Sequence, residues 1–345
     1  MKTRKSLMKI LGVAMVMMIV GFIAHPAPAQ APKPIELKFT FPYPEPDEMV
    51  VGLKYMVQEL EKRTGGRVKI TMYYSESLGK LIDSLDMLNK GVADIAFFSP
   101  SMFAKVFRIP DAITLPSVRV SNRPLATEIM YSLYYQGLMN KDYAGYKPLL
   151  WQGTTPAGFA FRKKINTLEE LRKLKIRAPA GLTTRIVESL GVSVVSLLPP
   201  EVYMAVQKGV VDGVWTMPGS YFSLKLPEVT KYWLWLPMGC GCNVSMMTQA
   251  KWDSLPPDIQ MIWERINYET KYYFLKAMAE RPSDRQRFKD AGVEVYSLSP
   301  KEEERWYKIF DNATEKWVGD VEAAGYPAKA AVNEMNRIIN TYTEK

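Results

Sequence analysis

The 345-residue chain has a single histidine, His25, and two cysteines, Cys240 and Cys242. His25 sits within an N-terminal leader, so the exported chain would carry none. That excludes a His-dependent triad, a histidine general base and a histidine metal site. Cys-Gly-Cys spacing is neither a C-x-x-C redox pair nor a zinc half-site. A bond between the two would close a small, strained ring. The alternative, a buried pair of small residues, is the favoured reading. No G-x-G-x-x-G, P-loop or G-x-S-x-G is present. No dense basic run follows Lys9, which argues against a nucleic-acid partner. No apolar run after the leader is long enough to span a bilayer.

The leader has the parts of an export signal. Lys2, Arg4, Lys5 and Lys9 form a basic start, Ile10 to Ala24 is uncharged, and Ala27-Pro28-Ala29 offers small residues for cleavage after Ala29. The alternative is an uncleaved anchor. Without residues 1–29, four of the 45 basic side chains are lost. The remainder balances 36 acidic ones at +5, which is mild for a chain of this size. The protein is expected in the periplasm, not spanning the membrane once the signal is removed.

Beyond the leader, strands alternate with helices, the pattern of parallel α/β construction. Ile35, Leu37, Phe39 and Phe41 alternate with polar residues, and Val68, Ile70 and Met72 do the same. Asp47 is a candidate N-cap for the helix between them. The run N-K-G-V-A-D-I at 89–95 returns as Q-K-G-V-V-D-G at 207–213. It suggests two α/β lobes of similar design, with Ser99 and Thr216 at corresponding strand ends. Asp94 and Asp212 are read as turn or cap residues, and Thr167 with Glu170 as a capping box. A long helical stretch over 258–290, interrupted by Pro282, is expected to show an apolar face of Ile259, Ile262, Ile266, Tyr273 and Ala277. Trp306, Ile309, Phe310 and Trp317 are read as core.

Ligands of open α/β sheets lie beyond the carboxyl ends of the strands. Arg177 stands at such an end, between core-facing Ile176 and Ala178. The helix start after Gly181 would lie close by. Arg177 is either a solvated surface charge or a fork for a carboxylate.

The runs T-L-E-E-L-R-K-L-K-I-R-A-P (167–179), E-V-Y-M-A-V-Q-K-G-V-V-D-G (201–213) and N-V-S-M-M-T-Q-A-K-W-D-S-L-P (243–256) resemble the solute-binding proteins of TRAP transporters. The resemblance covers the whole chain beyond the leader. It implies a bilobal α/β receptor with a hinge and a long bracing helix, not an enzyme. The division it implies is lobe I at 30–153 with part of 242–281, lobe II at 154–241 with part of 282–345, and a bracing segment at 257–290. Its partners would be a small carboxylate ligand and the small and large TRAP membrane subunits.

Arg177 matches the family's carboxylate-binding arginine. Thr216 stands where many members have asparagine, and Gly153-Thr154-Thr155 where many have a second arginine. Those departures speak against a dicarboxylate, because a second carboxylate buried without a cation is costly. Trp215 is similar to the branch that binds 2-oxo acids. The expected ligand is a monocarboxylate, aromatic, branched or 2-oxo, with no cofactor and no metal. Ser99, Thr155, Thr216 and Asn243 would serve its polar groups. Phe41, Tyr43, Phe98, Trp215 and Tyr221 would line an apolar wall, each with core packing as the alternative. A receptor for a sensor protein, or an exported enzyme on the same scaffold, are the competing functions.

Overall fold

The computed structural model describes residues 33–45 and 47–343. The expected export signal lies outside them. Eleven strands are described: β1 Ile35–Thr40, β2 Val68–Tyr73, β3 Ile95–Phe98, β4 Tyr146–Pro156, β5 Gly158–Phe161, β6 Lys175–Ala178, β7 Ser193–Ser196, β8 Gly213–Thr216, β9 Tyr232–Leu234, β10 Cys240–Thr248 and β11 Glu294–Tyr296. The helices are α1 Val50–Arg63, α2 Ser84–Asn89, α3 Arg123–Tyr135, α4 Leu168–Leu171, α5 Leu182–Ser189, α6 Pro199–Gln207, α7 Pro218–Ser223, α8 Gln249–Asp253, α9 Pro257–Ala279, α10 Asp284–Asp290, α11 Pro300–Ala323 and α12 Ala328–Thr343.

The strands form two sheets, ordered β2-β1-β3-β10-β4 and β11-β9-β5-β8-β6-β7. In the first, β2, β1 and β3 run parallel, and β10 is antiparallel to both its neighbours. In the second, β7, β6 and β8 run parallel, and β5 is antiparallel to β8 and β9. This is a bilobal α/β fold. The chain crosses between sheets at Ala157, and returns before β10. The crossings hold each other: Ala157 N–H donates to Gly239 C=O at 2.9 Å, and Met238 N–H to Ala157 C=O at 3.3 Å.

The internal repeat has a structural cause. Asp94 N–H donates to Lys38 C=O at 2.9 Å, and Asp94 Oδ2 accepts Lys38 N–H at 2.8 Å. Asp212 treats Lys175 the same way, at 2.8 and 2.9 Å. Each aspartate ties the loop before one parallel strand to the neighbouring strand, at Lys38 within β1 and at Lys175 where β6 starts. Four residues beyond Asp94 and Asp212 stand Phe98 and Thr216. The counterpart of Thr216 is therefore Phe98, not Ser99.

Local chemistry explains most boundaries. Thr167 Oγ1 accepts Glu170 N–H at 3.2 Å, but the Glu170 carboxylate reaches Asn166 N–H at 2.8 Å rather than Thr167. Asp47 is not the N-cap of α1: its Oδ1 accepts Met49 N–H at 2.8 Å, and the helix starts after Met49. Pro282 does divide the long helical stretch, into α9 and α10. Along α9, Ile259, Trp263, Ile266, Thr270 and Phe274 are buried, a helical stripe. Tyr273 is not part of it; it is exposed and stacks on Tyr55 at 4.2 Å. Phe288 of α10 joins the second lobe's core with Tyr221 and Trp233. Trp306, Phe310 and Trp317 are buried core residues, as their spacing suggests.

Candidate ligand-binding site

The parallel strands β6 and β8 are neighbours, with Arg177 in register with Val214. Side chains alternate across a strand, so Arg177, Val214 and Thr216 share one face of the second sheet. Ile176, Ala178 and Trp215 face the other, packed in the larger core.

Arg177 is only 5% exposed. Its Nε and Nη2 both donate to Leu197 C=O, at 3.1 and 2.7 Å. Nη1 has no hydrogen-bond partner among the described residues. No carboxylate among them lies within ion-pair distance of it either. Burial lowers the guanidinium to about 10, with Tyr43 acting in the opposite direction. It stays a cation at neutral pH, largely stripped of water and without a counter-charge among the described residues. That is the arrangement an anionic ligand relieves. Of the five N–H donors of a guanidinium, the Leu197 carbonyl occupies two.

The residue opposite comes from the first lobe. Tyr43 follows β1 and is half-buried. Burial raises its hydroxyl to about 12; Asp47 adds to the rise and Arg177 opposes it. Its ring packs edge-on against Phe41 at 5.7 Å. The lobes meet again where Ser101 C=O lies 3.0 Å from the position a Cβ would take on Gly181, whose φ is +102°.

The other expected residues divide into three groups. Thr216 is buried beside Arg177 on the same face, and its hydroxyl makes no hydrogen bond among the described residues. Ser99 follows β3, Thr155 lies near the end of β4, and Asn243 on β10 pairs with Gln152; all three are half-buried. Trp215 is buried, and its indole N–H has no partner among the described residues. Three aromatics are core. Phe41 packs with Phe97 and Tyr74. Phe98 packs with Phe103 and Phe107. Tyr221 packs with Trp233 and Phe288, its hydroxyl 2.8 Å from Thr230. Phe41 and Phe98 point inward from the first sheet and Tyr221 from helix α7, which sequence position alone does not reveal.

The helix start after Gly181 does not wait for a ligand. Asp111 is buried at that turn, and burial raises its carboxyl to about 6 against the pull of Ser101, Arg185 and the Leu182 N–H. A protein carboxylate already serves the N-terminus of α5. The place of the second arginine also has an occupant. Arg123 of α3 reaches Gly153 C=O at 3.2 Å, but its other nitrogen pairs with Glu48 at 2.8 Å. Sequence reasoning misses both because their partners lie far away along the chain. Leu197 is within its reach: Leu198-Pro199-Pro200-Glu201 is a helix start with proline at N1 and glutamate at N3.

The family model of the bacterial extracellular solute-binding proteins, family 7, matches residues 43–320. The chain belongs to that family. Its members are binding receptors rather than enzymes, and no helix among the described residues is long and apolar enough to cross a membrane. Among relatives of this family 7 protein is a monocarboxylate 2-oxoacid-binding periplasmic protein from a Nostoc species. The two are 26% identical over 236 residues, 65% of this chain and 63% of that one. Among solved structures, a marine metagenome TRAP solute-binding protein specific for aromatic acids, in complex with 3-hydroxybenzoate, superposes with a TM-score of 0.81. Its identity is 22%, over 90% of this chain and 99% of the other. A TRAP solute-binding protein from Rhodoferax ferrireducens, in complex with copurified benzoate, gives a TM-score of 0.80 at 21% identity, over 90% and 99%.

Proposed function

We propose that this family 7 protein is the periplasmic receptor of a TRAP importer, and that its ligand is a small organic acid with one carboxylate. The observation that carries the reading is Arg177, a buried cation with donors left over and no counter-ion among the described residues. A ligand carboxylate takes the free edge of the guanidinium through parallel hydrogen bonds. Thr216, Ser99, Thr155 and Asn243 serve hydroxyl or oxo groups. Tyr43 contributes aromatic surface beside Arg177, whereas Trp215 lies on the other face of the sheet, in the core. Relatives that bind benzoate, 3-hydroxybenzoate and 2-oxoacids support the choice of a monocarboxylate. The ligand joins residues of both lobes, so it favours their approach by its differential affinity for the closed arrangement. The lobes then divide near 153 and 241, hinge at the two crossings, and hand the ligand to the membrane subunits for ion-driven import.

The test is calorimetry of the processed protein with benzoate, 3-hydroxybenzoate, pyruvate and succinate. One of the monocarboxylates binds, and succinate binds more weakly. Arg177→Ala loses about 2–5 kcal/mol of binding, or roughly 30-fold or more. Arg177→Lys recovers only part, lacking the planar fork. Unchanged affinity in Arg177→Ala removes the anchor, and a clear preference for succinate removes the monocarboxylate.

A further inference from the structure

The Leu197–Leu198 peptide group lies between two opposite charges. Its carbonyl accepts Arg177 Nε and Nη2 at 3.1 and 2.7 Å. Its N–H donates to Glu201 Oε2 at 2.9 Å. We propose that Glu201 is a positioning residue for the ligand anchor: by holding the Leu198 N–H it aims the Leu197 carbonyl, and through it the Arg177 guanidinium. The inference rests on reading Arg177 as the carboxylate anchor.

A peptide group is planar, so fixing its N–H direction fixes its C=O direction. The turn needs fixing, because Leu198 is 55% exposed and no side-chain packing locks it. Pro199 limits Leu198 to extended backbone, observed at φ −69° and ψ 153°. The Glu201 bond then selects the orientation of the plane. Electrostatics acts the same way. The carboxylate sits at the positive N–H end of the peptide dipole and the guanidinium at its negative end. Hydrogen bonds in such a chain polarise one another. A helix cap would by itself account for a glutamate at this position. A second cap in the same lobe separates the two roles. Glu170 accepts the Asn166 N–H at 2.8 Å, but the carbonyl of that peptide, on Ile165, accepts the Tyr296 hydroxyl at 2.9 Å and touches no arginine.

The experiment compares Glu201→Ala, Glu201→Gln, Glu201→Asp and Glu170→Ala in the processed protein. One readout is benzoate affinity by calorimetry. The other is the exchange rate of the Arg177 Nε–H by nitrogen-15 NMR without ligand, its signal assigned by loss in Arg177→Lys. Glu201→Ala weakens benzoate about threefold to tenfold and speeds Nε–H exchange. Glu201→Asp, too short to reach, behaves like alanine. Glu201→Gln keeps an acceptor at the same reach and restores most of both. Glu170→Ala lowers the melting temperature to a similar degree and moves neither. Exchange unchanged in Glu201→Ala overturns the proposal whether or not benzoate binds, as does an equal response in Glu170→Ala. If wild-type protein binds none of the acids, the functional reading fails separately, and the exchange rates decide Glu201.

Discussion

Glu48 Oε1 lies 2.8 Å from Arg123 Nη2, with side chains 12% and 10% exposed. The pair neutralises the cation that, among the described residues, reaches the β4 position where the family resemblance implies a second arginine. Arg281 adds a weaker contact to the other Glu48 oxygen at 3.2 Å, and these arginines hold the Glu48 carboxyl below its usual range despite burial. Removing one partner of a buried pair leaves an uncompensated charge, which costs about 3–5 kcal/mol. Arg123→Met and Glu48→Gln should each approach the lower end of that range in urea unfolding. The double variant should lose clearly less than the sum. Strict additivity would show that the pair is not coupled.

The same β4 position admits no side chain. A Cβ on Gly153 would lie 2.7 Å from Arg123 O, 2.8 Å from Thr127 Oγ1 and 2.9 Å from Ala126 Cβ. Two of these belong to α3 backbone or its first side-chain carbon and cannot swing aside. Gly153→Ala should cost about 1–3 kcal/mol by overpacking. Gly219→Ala meets only the end of the Glu48 side chain, at 2.7 Å, and should cost less. Equal midpoints for the two variants in urea would contradict this account.

Both lobes are legible from local signals. Period-two strands, capping residues and the Asp94/Asp212 echo need only neighbouring residues to be read. The sequence pattern puts Arg177 near a strand end, as β6 has it, but its burial is not visible there, because a strand-end arginine has the same local sequence whether covered or not. Its cover comes from elsewhere: Tyr43 from the first lobe and Leu197 from the turn after β7. Arg123 with Glu48, and Asp111 with the α5 turn, join residues separated by 75 and about 70 positions. No periodicity reports such pairs. The aromatic wall is over-read for the opposite reason. Phe98 ends β3, where inward and outward positions differ by one residue, and Tyr221 lies within α7, packed on Trp233 and Phe288.

Cys240 and Cys242 are free and buried. Burial raises both thiols well above their usual range. The Cys240 thiol points to Val120 C=O at 3.5 Å and the Cys242 thiol to Asn243 C=O at 3.6 Å. Reactivity tracks the thiolate and its exposure. Iodoacetamide at pH 8 should therefore leave the native protein unmodified and add two groups after denaturation, read by intact mass. Rapid labelling of the folded protein, or a mass two protons short before labelling, would contradict buried thiols.

Asp111 gives a pH test with a definite sign. Its carboxyl is raised from the usual 3.8 to about 6, by burial first. Between those values the folded protein holds a proton that the unfolded chain has released. The contribution of Asp111 to stability therefore falls as pH rises from about 4 to 6, and stays at its lower level above that. Asp142, raised in the same way, has the same sign. Glu334, lowered to about 2 beside Arg337, has the opposite one. Both are unchanged in Asp111→Asn, so comparing the variant with wild type isolates Asp111. The difference in unfolding free energy should move in favour of Asp111→Asn by about 2 kcal/mol between pH 4 and pH 7.5, with urea midpoints as the measure. A difference that stays constant across that range would mean that the carboxyl at the α5 turn titrates normally. Burial would then not be what sets its charge.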